Sequence, residues 1–310
     1  MPDRALDLSI VWWIDHLGPG GSQRVLTRLV EHMARHGARQ NVICLNAVVD
    51  LELSRRLHLA GVELFVIGKY RLLFGIGLIS IRRIIQRQSF DVSVTFLANA
   101  DVVGTLMSWI GRIPTRISAQ RSSNKHYSLF RRTIVELALL KATRIVLNSC
   151  AYSSHAKKSL PKLIPVCVIP NGVDVGSQVP VESGTRVPEI LGLPPGTPVV
   201  GCIGRLSSEK RVEDVIRAIA LLEGTTPHLV LVGDGPERRR LVELAEACAL
   251  SDRVHFLGER DDVRAILSGL SLYVLASSFE GMSNSLLEAM ASGCPVVATA
   301  IDGNLELVYE

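Results

Sequence analysis

Short runs of β-branched and aliphatic residues recur along the chain and alternate with longer stretches whose apolar positions repeat every three to four residues. In the first half the short runs predict strands at Leu8–Ile14, Asn41–Leu45, Glu63–Ile67, Val92–Phe96, Arg116–Ala119, Arg144–Asn148 and Cys167–Ile169, with helices filling most of the gaps. Residues Gly176–Pro198 hold five prolines with little apolar periodicity, which predicts a linker between domains. A second alternation follows. It predicts strands at Val199–Ile203, His228–Val232, Val254–Phe256, Leu272–Leu275 and Pro295–Ala298, and helices near Arg211–Leu222, Glu237–Ala249, Asp262–Ser268 and Ser285–Ala291. Such alternation argues for parallel sheets wrapped by helices rather than a sandwich or a bundle. The expected architecture is α/β: two doubly wound, Rossmann-like domains facing one another across a cleft, 1–180 and 199–310, joined by a linker over 181–198. In open parallel sheets ligands bind beyond the carboxyl ends of the strands, so two such domains suit an enzyme with two substrates.

The length of 310 residues fits two domains, and 47% hydrophobic with 21% charged residues is a globular composition. No apolar run reaches the 18 or so residues of a bilayer crossing, and the first residues lack the pattern of a signal peptide, so a cytoplasmic protein is expected. The six cysteines are scattered, with no metal-ligand spacing, which predicts reduced buried thiols and no metal site. The net charge of +4 conceals an asymmetry. Residues 1–180 carry 23 Lys+Arg against 11 Asp+Glu, and residues 181–310 carry 11 against 19. A basic first half points to an anionic membrane surface, a phosphorylated acceptor or nucleic acid. Nucleic acid is disfavoured, because no recognisable binding module is present and aromatics make up 5% of the chain.

Chemistry concentrates in the second half. Phe279-Glu280-Gly281-Met282-Ser283-Asn284-Ser285-Leu286-Leu287-Glu288-Ala289-Met290-Ala291 runs from a strand end through a turn into a helix. Ser283 or Asn284 is placed to cap that helix, whose free N–H groups and positive dipole end suit a phosphate. Glu288, one turn on, is placed to accept bonds from a ribose diol, and Glu280 to hold hydroxyls of a sugar. The segment, with Gly293-Cys294-Pro295-Val296-Val297 after it, resembles the signature of glycosyltransferase family 4, whose two glutamates stand eight residues apart as Glu280 and Glu288 do. Gly204-Arg205-Leu206-Ser207-Ser208-Glu209-Lys210 resembles that family's Gly-Arg-Leu-x-x-Glu-Lys segment, in which Arg205 and Lys210 would grip a diphosphate and neutralise it as it departs. Leu231-Val232-Gly233-Asp234-Gly235-Pro236 matches a family turn close to the nucleotide.

In the first half, Asp15-His16-Leu17-Gly18-Pro19-Gly20-Gly21-Ser22-Gln23 resembles the family's opening glycine loop, which closes over the donor phosphates at Gly20 and Gly21 and borders the acceptor at His16. A nicotinamide fingerprint would need glycine where Gln23 stands. Ile169-Pro170-Asn171-Gly172-Val173-Asp174 matches a family hallmark at the domain hinge. Many members carry a histidine after the fourth strand, where this chain reads Leu97-Ala98-Asn99-Ala100-Asp101. Asn99, Asp101, Arg121 and Asn124 are therefore candidates for acceptor contacts, against a reading as ordinary helix caps. Tyr70–Arg83 is apolar and fenced by arginines, which suits shallow membrane contact or a plain core helix.

The resemblance implies a two-domain GT-B enzyme that transfers a hexose from a nucleotide sugar with retention of anomeric configuration, and a UDP-sugar is the commonest donor in the family. The acceptor it implies is a glycan or lipid-linked molecule of cell-surface polysaccharide synthesis, at the inner face of the membrane. The nucleotide sugar would be a co-substrate, with no bound cofactor. No two aspartates stand two apart, so the Asp-x-Asp metal motif of the other common glycosyltransferase fold is missing and metal-independent transfer is expected. A nucleotide-sugar epimerase on the same fold, and a non-catalytic nucleotide-sugar-binding or membrane-binding protein, are the alternatives. Family members continue beyond the point where this sequence stops, through a strand and helices, so a C-terminally shortened chain is also expected.

Overall fold

The computed structural model describes residues 7–18, 20–121, 128–150, 163–173, 175, 187–223 and 227–308. The chain forms two compact units, Met1–Pro170 and Asn171–Glu310. The division falls earlier than the boundary expected near residue 180. Part of the expected linker belongs to the second unit, because Val187, at the start of a short helix, is fully buried in that unit's core.

The first unit is a seven-stranded parallel sheet in the order β3-β2-β1-β4-β5-β6-β7. Its strands are β1 (Ser9–Ile14), β2 (Arg39–Cys44), β3 (Glu63–Val66), β4 (Val92–Phe96), β5 (Thr115–Gln120), β6 (Arg144–Leu147) and β7 (Val166–Val168). Every residue of β1 is buried, as befits a central parallel strand covered by helices on both faces. Its two tryptophans keep their indole N–H groups satisfied in the core: Trp12 donates to Gln40 at 2.8 Å and Trp13 to Ser93 at 3.0 Å. The helices are α1 (Gly21–Arg35), α2 (Leu51–Leu59), α3 (Lys69–Leu73), α4 (Ile76–Arg87), α5 (Ala98–Ile110) and α6 (Leu129–Leu139). The apolar stretch 70–83 is thus two helices, separated at Gly75 in the left-handed conformation. No helix among the described residues is long and apolar enough to cross a membrane.

The second unit repeats the plan with five parallel strands in the order β10-β9-β8-β11-β12. These are β8 (Val199–Ile203), β9 (His228–Val232), β10 (Val254–Gly258), β11 (Leu272–Leu275) and β12 (Val296–Ala298). Its helices are α7 (Val187–Ile190), α8 (Val212–Ala220), α9 (Arg238–Ala247), α10 (Val263–Gly269), α11 (Asn284–Ala291) and α12 (Asp302–Leu305). All twelve strands anticipated from the sequence are present, and both sheets have the doubly wound order. In each, the order reverses between the unit's first strand and the fourth, β1 and β4 in one and β8 and β11 in the other. That reversal opens a crevice beyond the strand ends, where ligands bind in such folds.

Candidate functional site

In the second unit, four stretches far apart in sequence converge at that crevice. After β8 the chain passes Gly204 and the exposed Arg205, then makes a 3-10 turn at Ser208–Lys210. After β11 it passes Ser277 and Ser278 to Glu280. The two loops are stitched by Ser278 N–H donating to the Glu209 carbonyl at 2.8 Å, and Lys210 Nζ donates to Glu280 Oε1. Both side chains of this ion pair are largely buried, at 22% and 15% exposure. Ser277 Oγ donates to the same Oε1 at 2.8 Å. The third stretch is the turn after β9. Leu206 N–H donates to the Asp234 carbonyl at 2.9 Å, and Gly233 N–H to the Gly258 carbonyl at 2.6 Å. Gly233 has φ 119°, and a Cβ on it would lie 2.1 Å from the Gly204 carbonyl oxygen, so this approach of two strand ends needs a glycine. The fourth is Asn171, whose amide donates to the Met282 carbonyl at 3.1 Å and to Asn284 Oδ1 at 2.8 Å.

The start of α11 is built as the sequence predicts. Ser283 caps it, accepting from Leu286 N–H at 3.4 Å. Ser283 Oγ lies 3.1 Å from Ser285 Oγ, and the buried Tyr273 hydroxyl donates to Ser285 Oγ at 2.7 Å. Gly281 and Met282 are buried beneath this turn, and Glu288 is half-buried one turn along the helix. Burial drives the Tyr273 phenol above its ordinary pKa, with the charges of Glu280 and Glu288 adding to the shift. Burial also pushes Glu209 upward, but bonds from Ser207 and its own backbone, with the charges of Lys210 and Arg205, outweigh it and hold the carboxyl below its usual range. The cations of the Gly-Arg-Leu segment therefore act on one carboxylate beside the crevice. Arg211, next to Lys210, is held at φ 49°, one of four non-glycine residues with positive φ among those described. Such strain costs on the order of 1–3 kcal/mol and gathers at functional loops.

The first unit carries a second cluster at its own reversal point. Asp15, after β1, caps α5 from outside: its carboxylate accepts from Ala100 N–H at 2.6 Å, Asn99 N–H at 3.2 Å and Asn99 Nδ2 at 2.8 Å. The exposed Asn99 also accepts from Arg131 at 3.3 Å. His16 lies beside the glycine loop, with both ring nitrogens within 3.4 Å of Gln23 Nε2 on α1, and its Nδ1 accepts from Gly18 N–H at 3.2 Å. Gly20 and Gly21 form the start of α1. Arg121, at the end of β5, lays its guanidinium over the Phe96 ring, 5.7 Å from the centroid, and burial lowers its pKa to about 10. Leu97 between β4 and α5 has φ 75°, a second strained residue at a strand end.

One candidate is corrected. Asp101 does not reach the surface: it is 2% exposed and accepts from Thr95 at 2.5 Å, Ser118 at 2.7 Å and Gln120 at 2.6 Å. Its position in the first turn of α5 turns the side chain back onto β4 and β5. Asn124 lies outside the described residues. Sequence reasoning passed over Asp15 and Ser277. Asp15 is a carboxylate closing an otherwise apolar strand, a usable signal, but only the pairing of β1 with β4 reveals the helix end it caps. Ser277 carries no sequence signal of its own.

The model of the family described as Glycosyltransferase Family 4 matches residues 19–177, about half of the chain, and that described as Glycosyl transferases group 1 matches residues 185–310. The chain is 28% identical over 289 residues to the lipopolysaccharide core biosynthesis glycosyltransferase LpsE of Rhizobium meliloti, covering 93% of this chain and 78% of that protein. It is 26% identical to the UDP-Gal:alpha-D-GlcNAc-diphosphoundecaprenol alpha-1,3-galactosyltransferase of Escherichia coli over 75% of this chain and 63% of that one. Among solved structures, Anabaena HepE in complex with UDP-glucose superposes with a TM-score of 0.84 at 23% identity, covering 98% of this chain and 83% of that chain. With two doubly wound parallel sheets of GT-B type and both halves matched, the chain belongs to glycosyltransferase family 4.

Proposed function

We propose that this chain transfers a hexose from a UDP-sugar to a glycan or lipid-linked acceptor of a cell-surface polysaccharide or lipopolysaccharide. The observation that carries the reading is the meeting of Lys210 and Glu280 at the second sheet's reversal point, beside the capped start of α11. A diphosphate placed there would have the α11 N–H groups, Lys210 and Arg205 around it, and Glu280 and Glu288 would take hydroxyls of the sugar and of the ribose. The relatives named for lipopolysaccharide core and diphosphoundecaprenol chemistry, and the UDP-glucose of HepE, support the donor and acceptor classes.

The reaction read here is a retaining transfer. The bond between the anomeric carbon and the diphosphate oxygen breaks, the acceptor oxygen bonds to the same face of the anomeric carbon, and the acceptor proton passes to the departing diphosphate. Negative charge grows on the diphosphate as the bond lengthens, and cations already in place lower that barrier. Arg205 and Lys210 supply this charge without a metal ion. Exclusion of water protects the donor from hydrolysis. The exposed Tyr70, Phe74, Ile76 and Ile79, set among Lys69, Arg71, Arg82 and Arg83, would bring the enzyme to an anionic membrane carrying its acceptor.

Thermal unfolding with UDP, GDP, ADP and TDP tests the donor site. At about 100 times its dissociation constant a nucleotide stabilises the chain by about 2.7 kcal/mol. The expected result is a rise with UDP that Arg205→Ala and Glu288→Ala abolish. A folded parent indifferent to all four nucleotides overturns the reading. Transfer that persists in a chelator and yields an α-linked product from an α-linked donor would support metal-free retention.

A further inference from the structure

The ion pair of Glu280 with Lys210 fixes one end of the carboxylate, and a second set of contacts holds it from beneath. Ser277 is fully buried, and its hydroxyl donates to Glu280 Oε1 at 2.8 Å. The Ser277 carbonyl accepts from Thr299 Oγ1 at 2.6 Å. The Thr299 carbonyl accepts from Asn304 Nδ2 at 3.0 Å, and Asn304 is 2% exposed. The chain of bonds runs from α12 through the end of β12 to the loop after β11, and so to the carboxylate. Close backbone packing seals it: a Cβ on Gly303 would lie 1.9 Å from the Gly281 carbonyl oxygen and 2.6 Å from that of Glu280. Both bonds to Glu280 converge on Oε1, and among the described residues Oε2 accepts none.

A glutamate with two rotatable bonds beyond its first would spend much of its time in the wrong rotamer if only a flexible lysine held it. Two donors on one oxygen, one of them a buried serine on rigid backbone, fix the plane of the carboxylate and leave the other oxygen for a ligand. That is the support a binding carboxylate needs from the residues behind it.

We propose that Ser277, supported by Thr299 and Asn304, is a positioning residue that orients Glu280 so that Oε2 meets the hydroxyls of the transferred sugar. It therefore acts on recognition of the sugar and not of the nucleotide. The inference rests on the donor site proposed above.

Titration calorimetry of the full 310-residue chain separates the two effects, using UDP, GDP, ADP and TDP and the corresponding nucleotide hexoses. The parent is expected to bind one nucleotide, and its hexose conjugate more tightly. Ser277→Ala and Thr299→Val are expected to bind the free nucleotide within about twofold of the parent while the hexose conjugate weakens about fivefold to tenfold. Thr299→Ser, which keeps the hydroxyl and loses only the methyl, is expected to match the parent. If Ser277→Ala and Thr299→Val weaken nucleotide and conjugate equally, their role is packing and the proposal fails. It also fails if Glu280→Ala removes the preference for the conjugate while Ser277→Ala and Thr299→Val retain it, although the donor site then stands. A parent that binds none of the ligands overturns the donor site and the proposal together.

Discussion

At the carboxyl end of the first sheet, Asp101 shows how much a single side chain's environment decides. Burial is the main cause that raises its pKa from 3.8 to about 7, opposed by the hydrogen bonds from Thr95, Ser118 and Gln120, with the nearby Asp15 charge adding to the rise. The folded state therefore binds a proton that the unfolded chain releases near pH 4. The stability that this proton confers is present in full below about pH 4 and is lost as the pH rises to about 7. Asp101→Asn removes the titration. The difference in unfolding free energy between parent and variant is expected to shift against the parent by on the order of 3 kcal/mol between pH 4 and 7.5, read by urea titration across that range. A difference that stays constant over the window would mean the carboxyl is ionised in the folded protein. From the sequence this aspartate looked like an acceptor contact, because it follows a strand end where the family carries functional groups. Its direction was not legible: whether a residue in a helix's first turn faces the cleft or the sheet depends on where the helix docks.

Elements fared differently from side chains. The strands could be read because a buried parallel strand needs a run of apolar residues bounded by turn formers, and Val199–Ile203 or His228–Val232 carry that mark within themselves. The start of α11 was equally local, since Ser283 caps a helix that begins one residue later. The division of 70–83 into α3 and α4 follows from Gly75. The turn after β9 is a more exacting case. Gly233→Ala would demand both φ 119° from alanine and a methyl 2.1 Å from the Gly204 oxygen. The expected loss is at least about 2 kcal/mol in denaturant unfolding of the second unit, with nucleotide binding lost as the Gly204–Arg205 loop is pushed aside. Unfolding and binding like the parent would show that the two strand ends can part at no cost. The tight turn was visible in Gly-Asp-Gly-Pro, but not the neighbour that makes its first glycine necessary.

At the scale of the whole chain, the uneven charge makes a prediction that neither residues nor elements make alone. Residues 1–180 carry a net +12 and residues 181–310 a net −8. Vesicles of phosphatidylcholine with about 30% phosphatidylglycerol should sediment the protein at low salt and release it at about 0.5 M salt, because attraction between surface charges is screened. Phe74→Ser with Ile79→Ser should weaken the binding that survives at intermediate salt, since the apolar part of the contact is insensitive to screening. No binding to these vesicles at low salt would remove the membrane from the proposed function. The sequence by itself determined the two α/β units, the positions of their strands and the family, because apolar runs, helix caps and contiguous motifs are local in the chain. It also singled out Lys210 and Glu280 as candidates without showing that they touch. Only the tertiary structure joined Lys210 to Glu280 across 70 residues, set Asp15 on the end of α5 across 85, and placed Ser277 and Asn304 behind the carboxylate. Those contacts exist because parallel strands adjacent in the sheet are distant in the chain, and what lies between their ends is fixed by packing rather than by spacing.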